Sequence, residues 1–447
     1  MIRSHEATLF TRAYPKSPED ARRADELLFR FAERVGDSPE FSEPEVSGIA
    51  GTSVTGVFTR EVVRQLAERY PKQIDVAWDA YEEPDRLGPV VARALPMAGE
   101  DWPVEAHAPF REWIAAAKSA GCTDLEWLLG AVTDDGEFEA LQVPITWQIG
   151  DANCSRSRMR LPRAELFCHM GPLLKRSDVS IAAELESAPL VVNRVEAGDI
   201  LDGILDSSAV RYRQLHGFSH PEEDAVFHCE LGRGVEIYFF GVPPQWRLPI
   251  RAYHAGMFFK NGVPIGYIEL LSICEHAEAG FNLYYTFREG ETAWVYARLL
   301  HLFRQELGIE CFSIDPYQIG LENSEAIDSG AFWFYRKLGF RPVDPEVARF
   351  TAREEARMRK TPGYRSSPST LRKLAADAMV YETPAAQKGA WDRFRVRNIG
   401  LRNPHARDVI GVREIIEEKQ RGSETRYLRL TQQHREVRAA LIEMGSR

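Results

Sequence analysis

Apolar positions in the first third of the chain recur every three to four residues, the period of a helix with one buried face. In "SPEDARRADELLFRFAERVG" the residues Leu27, Leu28, Phe31 and Val35 share such a face. Ser17 stands as N-cap with Asp20 three residues on, and Gly36 reads as the stop. "TREVVRQLAERYP" repeats the pattern from Thr59 to Pro71, and "PFREWIAAAKSAG" and "TDLEWLLGAV" read as two helices broken at Gly121. These segments predict a helical N-terminal domain over residues 1–136.

The period changes after that. Residues 137–187 read as a mixed connector. "ALQVPITWQIG" looks like a strand that Pro144 confines to an edge, because proline cannot donate to a ladder. "DVSIAAELE" is too short to assign. From 188 to 345 strands and helices alternate. "APLVVNRV", "GVEIYFFGV", "AGFNLYYTF", "ECFSIDPY" and "GFRPV" read as strands. "IRAYHAGMFFKNGVPIGYIELLSI" reads as a hairpin turning on Asn261-Gly262, the dipeptide that best accepts the left-handed pair of a tight turn. "AGDILDGILDSSAVRYRQLHGF" reads as helix in two pieces broken near Asp206. "ETAWVYARLLHLFRQELG" places Ala293, Ala297, Leu300, Phe303 and Leu307 on one helical face, with Gly308 as its stop. Residues 346–447 read as a charged helical C-terminal extension, interrupted around Pro362 and Gly363.

Composition narrows the class. The chain has 447 residues, enough for two to four domains, with 44% hydrophobic and 27% charged residues. A net charge of −10 argues against a bulk nucleic-acid or anionic-membrane binder, which favours basic surfaces. No apolar run approaches the roughly 20 residues that cross a bilayer. The N-terminal stretch lacks a signal-peptide apolar core. A cytoplasmic protein with no membrane partner is therefore expected. The six cysteines are scattered singly, which speaks against a disulfide framework or a zinc knuckle, and no metal is expected.

Three segments carry a family resemblance. "KNGVPIGYIEL" looks like a "dGxxvGxxxl" hairpin, "FREGETAW" lies between a strand and a long helix, and "AFWFYRKLGF" looks like a closing "AxxxYxxxGF" segment. Over residues 188–345 the chain thereby resembles the GNAT acyltransferase superfamily. The resemblance implies an α+β fold with a mixed, largely antiparallel sheet flanked by helices. It also implies acyl-CoA, acetyl-CoA for example, as donor and a small-molecule or peptide amine as acceptor. The activity would be N-acyl transfer.

Acyl transfer from a thioester needs the donor's phosphates held, the amine deprotonated and the leaving thiolate protonated. The turn before a helix suits the first task, since unpaired N–H groups lie there at the positive end of the dipole. On the family pattern, Arg288, Gly290, Thr292 and Ala293 would bind the pyrophosphate, with Gly290 free to take a positive φ. The pattern breaks at Glu291, which stands where the family has its middle glycine. Tyr335 falls where the family carries the tyrosine that protonates the thiolate. A phenol, with its ordinary pKa near ~10, holds its proton at neutral pH. By spacing, Ala331, Phe334, Tyr335 and Leu338 share a helical face. Glu269 is a candidate base on the second hairpin strand, where alternation puts Tyr267, Glu269 and Leu271 on one face. Asp315 ends a strand at the C-terminal edge where open sheets contact ligands, or else caps the turn at Pro316. His254 is a further titratable strand residue, and Tyr284 and Tyr285 are expected to line the acceptor cleft.

Two other readings stay open. Glu291 would make the domain a binding or regulatory protein that has lost CoA. The basic stretch "CSRSRMRLPR" would suit an aminoacyl-tRNA-dependent transferase, which the acidic net charge disfavours. In "HPEEDAVFHCE", His220, Glu222, Glu223 and His228 fit no standard zinc spacing.

Overall fold

The structure is a computed structural model that describes residues 1–35, 48–104, 108–150, 152–196, 198–402 and 412–446. Gly36 lies outside them. The chain divides into two compact units that are interleaved in sequence. One comprises Met1–Arg12, Glu19–Arg160 and Gly198–Ser219; the other comprises Ala13–Pro18, Leu161–Ala197 and His220–Arg447.

The first unit is not purely helical. Helices Pro18–Phe29, Arg60–Arg69, Phe110–Ala117 and Asp124–Ala131 form where the apolar period predicts them. Thr123 starts the last of these with a capping box: its hydroxyl accepts from the Glu126 N–H at 3.1 Å, and Glu126 accepts from the Thr123 N–H at 2.8 Å. A three-stranded antiparallel sheet lies among them: β1 (Ser53–Gly56), β2 (Ile74–Val76) and β3 (Ile145–Gln148), in the order β1-β3-β2. Pro144 does not make β3 an edge strand. It sits just before the ladder, and its carbonyl accepts from the Ala77 N–H at 2.8 Å, so its missing N–H costs the sheet nothing. Helix Gly198–Ala209 runs unbroken through Asp206. That aspartate is buried and accepts from both Arg69 and the Tyr70 hydroxyl, which removes the reason for a break.

The second unit is a mixed α+β fold around a nine-stranded, mostly antiparallel sheet flanked by helices. Its strands are β4 (Val192–Val195), β5 (Val226–Gly232), β6 (Val235–Phe240), β7 (Ala252–Lys260), β8 (Val263–Ile273), β9 (His276–Leu283), β10 (Cys311–Ile314), β11 (Arg341–Pro342) and β12 (Met379–Glu382). The order across the sheet is β11-β12-β10-β9-β8-β7-β6-β5-β4. β7 and β8 close on Asn261 and Gly262, whose φ values of 51° and 79° make the left-handed pair a two-residue hairpin needs. β7 is buried along its whole length, so it is apolar nearly throughout rather than alternating.

β9 and β10 form the parallel pair, joined by the cleft helix, Thr292–Leu307. Their ladder is short: Cys311 faces His276, Phe312 faces Ala277 and Ser313 faces Glu278. β9 then continues beside β8 as far as Leu283, while β10 ends and the chain turns away at Asp315-Pro316. The two strands therefore part. β12 lies within the segment that the sequence pattern predicts to be a charged helical extension. It enters the sheet between β10 and β11, and four residues are too few to show a strand period.

Candidate functional site

A cleft of about 830 Å³ opens where β9 and β10 part. Gly280 and Asn282 of β9 and Tyr267 and Glu269 of β8 lie along it. The start of the cleft helix, with Arg288, Gly290, Thr292 and Ala293, forms another part, and Ala331, Phe334 and Tyr335 of the aromatic helix (Ala331–Lys337) form a third. Segment 172–176 brings Lys175 and Arg176. Six of the seven residues expected to bind the donor or carry protons, Asp315 included among the seven, thus meet at one cleft.

Asp315 is the exception. It does not line the cleft; its carboxylate caps helix Pro316–Ile319, accepting from the Tyr317 N–H at 2.8 Å. The turn-capping role is the one it fills. Tyr284 is buried, Tyr285 enters a 3₁₀ turn, and neither lines the cleft. Tyr317 and Gln318 take that place. His254 lies elsewhere in the unit, at a second cavity.

On β8 exposure alternates as predicted, with Tyr267, Glu269 and Leu271 the partly open positions. Glu269 accepts from the Tyr253 hydroxyl of the neighbouring strand, which fixes its carboxylate. Across the ladder from Glu269 stands Gly280. A Cβ there would lie 2.8 Å from the Gln318 amide nitrogen, so glycine lets the wall of the cleft approach. Two residues back along β9 is Glu278, a carboxylate whose pKa burial pushes up, with the Arg251 guanidinium opposing.

The aromatic helix starts from Gly330 at φ 67°, and Gly339 follows its end at φ 105°. Phe332, Trp333, Tyr335 and Leu338 are buried; Phe332 is the deepest. Ala331 and Phe334 share the cleft with Tyr335, while Arg336 turns to Glu355 at 2.8 Å. Burial raises the Tyr335 phenol above its ordinary pKa, so it keeps its proton. Beneath it lies Tyr296 of the cleft helix, fully buried, its ring 5.6 Å from that of Tyr335 in an edge-on arrangement.

At the loop, Gly290 does not take a positive φ. Glycine is required for another reason: a Cβ would stand 2.6 Å from the Tyr14 hydroxyl and 2.9 Å from the Phe287 carbonyl oxygen. Arg288 is half exposed and paired with Glu325. Thr292 returns its hydroxyl to the Arg288 carbonyl at 3.1 Å. Glu291, the N-cap, makes no capping bond, so the first-turn N–H groups of the cleft helix are left uncapped by it.

Glu291 is not a lining group of the cleft. Its carboxylate is fully buried and accepts from the Arg233 guanidinium at 2.9 Å and from the Leu174 N–H at 3.0 Å, with the Lys260 ammonium 4.0 Å away. Burial alone would raise its pKa; Arg233 and Leu174 outweigh burial and hold it below the usual carboxylate range. Lys260 is equally buried, and desolvation brings its ammonium down to about 7. It donates to the Arg233 carbonyl and lies over the rings of Tyr14 and Phe167. Through Leu174, Glu291 bolts the segment bearing Lys175 and Arg176 to the start of the cleft helix. The sequence offered a signal for that segment, the dipeptide Lys175-Arg176 after an apolar pair, but nothing in it says where the segment docks.

Other sequence candidates resolve into structural roles. In the basic stretch, Arg156 pairs with Glu6 at 2.8 Å, Arg160 pairs with Asp25, Arg158 lies over the Phe29 ring, and Arg163 pairs with Glu236 at 2.6 Å. Among the described residues, His228, Glu230 and Glu236 bring ligand atoms within 4.8 Å of one another, and Arg163 already bonds both carboxylates. His220 instead stacks on Trp246. All six cysteines are unpaired thiols. No helix among the described residues is long and apolar enough to cross a membrane. In comparison with known proteins, the chain matches no family model, no curated protein and no solved structure.

Proposed function

We propose that the second unit is a GNAT-like N-acyltransferase that uses acyl-CoA, such as acetyl-CoA, as donor to an amine acceptor. One observation carries the reading: β9 and β10 part beside the start of the cleft helix, and Tyr335 stands on that same cleft. The cleft residues suit the donor. Uncapped N–H groups at a helix start favour phosphate, and Lys175, Arg176 and Arg288 add cationic charge. A volume of about 830 Å³ lies in the range of small-ligand clefts.

Acyl-CoA, when bound, supplies the acyl group in activated thioester form. The chain's residues handle the protons. Glu269, held by Tyr253, accepts the proton that the acceptor amine must lose before its nitrogen bonds to the acyl carbon. Tyr335 keeps a proton on its phenol oxygen for the sulfur that leaves as the carbon–sulfur bond breaks. Glu269 then returns its proton to solvent, and Tyr335 regains one.

The reading as a domain that has lost CoA rested on a carboxylate in the phosphate loop. Because Glu291 points into the unit, that objection lapses. Calorimetric titration with acetyl-CoA and a longer acyl-CoA is expected to give saturable heat, weakened in Arg288→Ala. Tyr335→Phe is expected to lower kcat by about 10²-fold or more at little change in KM. Absence of binding by every acyl-CoA at millimolar concentration would sink the proposal.

A further inference from the structure

Helix Glu424–Gln433, the closing helix, packs on β7 and β8 and on the C-terminal end of the cleft helix, where Gln432 donates to the Leu307 carbonyl at 2.7 Å. Beneath it lies a second cavity of about 490 Å³. Its apolar side is the stacked pair Phe227 and Phe239, ring centroids 5.5 Å apart. Its polar side is Glu424, Glu222 and His254.

Glu424 is 1% exposed, yet neither carboxylate oxygen meets a donor at ordinary hydrogen-bond distance among the described residues; the Tyr253 N–H and the Lys419 ammonium act on it from farther away. The nearest cation, the Lys419 ammonium, stands 3.6 Å away and donates instead to the Leu248 and Arg251 carbonyls. His254, also buried, meets the Thr425 hydroxyl through Nε2 at 3.2 Å, while Nδ1 has no partner. Buried polar groups in folded proteins are nearly always bonded, and an unbonded carboxylate is among the costliest to leave so. Burial pushes the Glu424 carboxyl up to about 7, with Lys419 opposing.

Gly241 is an independent sign. Its φ is not positive, so backbone conformation does not demand glycine. A Cβ there would stand 3.1 Å from Glu424 Cγ and 3.4 Å from Glu222 Oε2. Glycine keeps clear the space between the methylene stem of Glu424 and the Glu222 carboxylate.

We propose that this cavity is a second ligand site that takes a compact organic ammonium compound. Its N–H groups donate to Glu424, and its apolar part lies against Phe227 and Phe239. A cation is favoured because the unspent capacity is acceptor capacity. The guanidiniums that would welcome an anion are committed: Arg247 to Glu222 at 3.0 Å, Arg426 to Glu418 at 3.3 Å, and Arg429 to the Glu306 carbonyl at 3.4 Å. An apolar wall with a few convergent polar groups is the usual make-up of a small-molecule site.

The test is titration of the full chain with benzylammonium and with benzyl alcohol, a neutral compound of similar size. Benzylammonium is expected to saturate the site at low millimolar concentration and to bind at least about tenfold more tightly than the alcohol. Glu424→Gln is expected to erase that preference. Gly241→Ala is expected to weaken benzylammonium while leaving charge untouched, and it decides the matter where Glu424→Gln fails to fold. Full binding retained in either folded variant, or no saturation by benzylammonium at all, overturns the proposal. Binding lost in Glu269→Gln but kept in Glu424→Gln would put the amine in the cleft and overturn it as well. The outcome does not depend on whether acyl-CoA binds.

Discussion

Glu291 and Glu424 are both buried glutamates of the second unit, near opposite ends of the same cleft helix, and they could hardly be more different. Glu291 is saturated with donors and held ionised below the usual range. Glu424 has no donor at ordinary hydrogen-bond distance among the described residues; the Lys419 ammonium stands 3.6 Å away, and burial raises the Glu424 carboxyl above the usual range. The same side chain therefore does opposite things. At the N-terminal end it is framework, joining two segments of the cleft wall. At the C-terminal end it keeps unspent bonding capacity facing a cavity. Burial does not mark a functional carboxylate; the count of partners does.

Identical substitutions should expose that difference. Glu291→Gln leaves Arg233 and Lys260 buried around a neutral group and is expected to cost about 3–5 kcal/mol of stability. Glu424→Gln leaves the buried Lys419 ammonium without its carboxylate but breaks no short bond, so it is expected to cost less, about 1–3 kcal/mol. Urea denaturation of the two variants at pH 7 checks this, and equal losses would erase the contrast.

Acid should act next. Burial lowers His254 to about 4 and His276, stacked on Trp391, to about 3. Both folded-state values lie below the unfolded value of 6.5, so the unfolded chain takes up protons first as pH falls. Their stability contribution is complete above about pH 6.5 and is lost on the way down to pH 4 and 3. The loss is roughly 3 kcal/mol for His254. Denaturation midpoints between pH 7 and 4.5 should drop accordingly, and less in His276→Phe. A midpoint that ignores pH would show that neither ring is sealed from water.

The smallest effect is the most local. Gly290→Ala drives a methyl toward the Tyr14 hydroxyl and is expected to cost about 1–3 kcal/mol. It should also weaken acyl-CoA, while unrelated surface substitutions leave binding alone. An unchanged affinity would detach the loop from the donor.

Much of the cleft was legible because local chemistry writes itself into local sequence. Asn261-Gly262 announces the hairpin, the apolar face announces the cleft helix, and alternation along β8 announces which face carries Glu269. What could not be read was long-range. Nothing near Glu291 says that Arg233, Lys260 and Leu174 converge on it, so a buried ion cluster looked like a blocked phosphate loop. Nothing in "AMVYE" says that it enters the sheet, and the three-stranded sheet of the first unit was hidden by strands of three or four residues. The cavity under the closing helix is assembled from β5, β6, β7 and residues beyond 420, so no stretch of sequence contains it.

The position of β12 bears on how the chain matures. β11 reaches the sheet only through β12, and β10 has β12 as its outer neighbour. A nascent chain emerging from the ribosome thus exposes Cys311–Ile314 as a bare apolar ledge until residue 382 is out. Truncation anywhere between the aromatic helix and that point should yield insoluble protein instead of a smaller working unit.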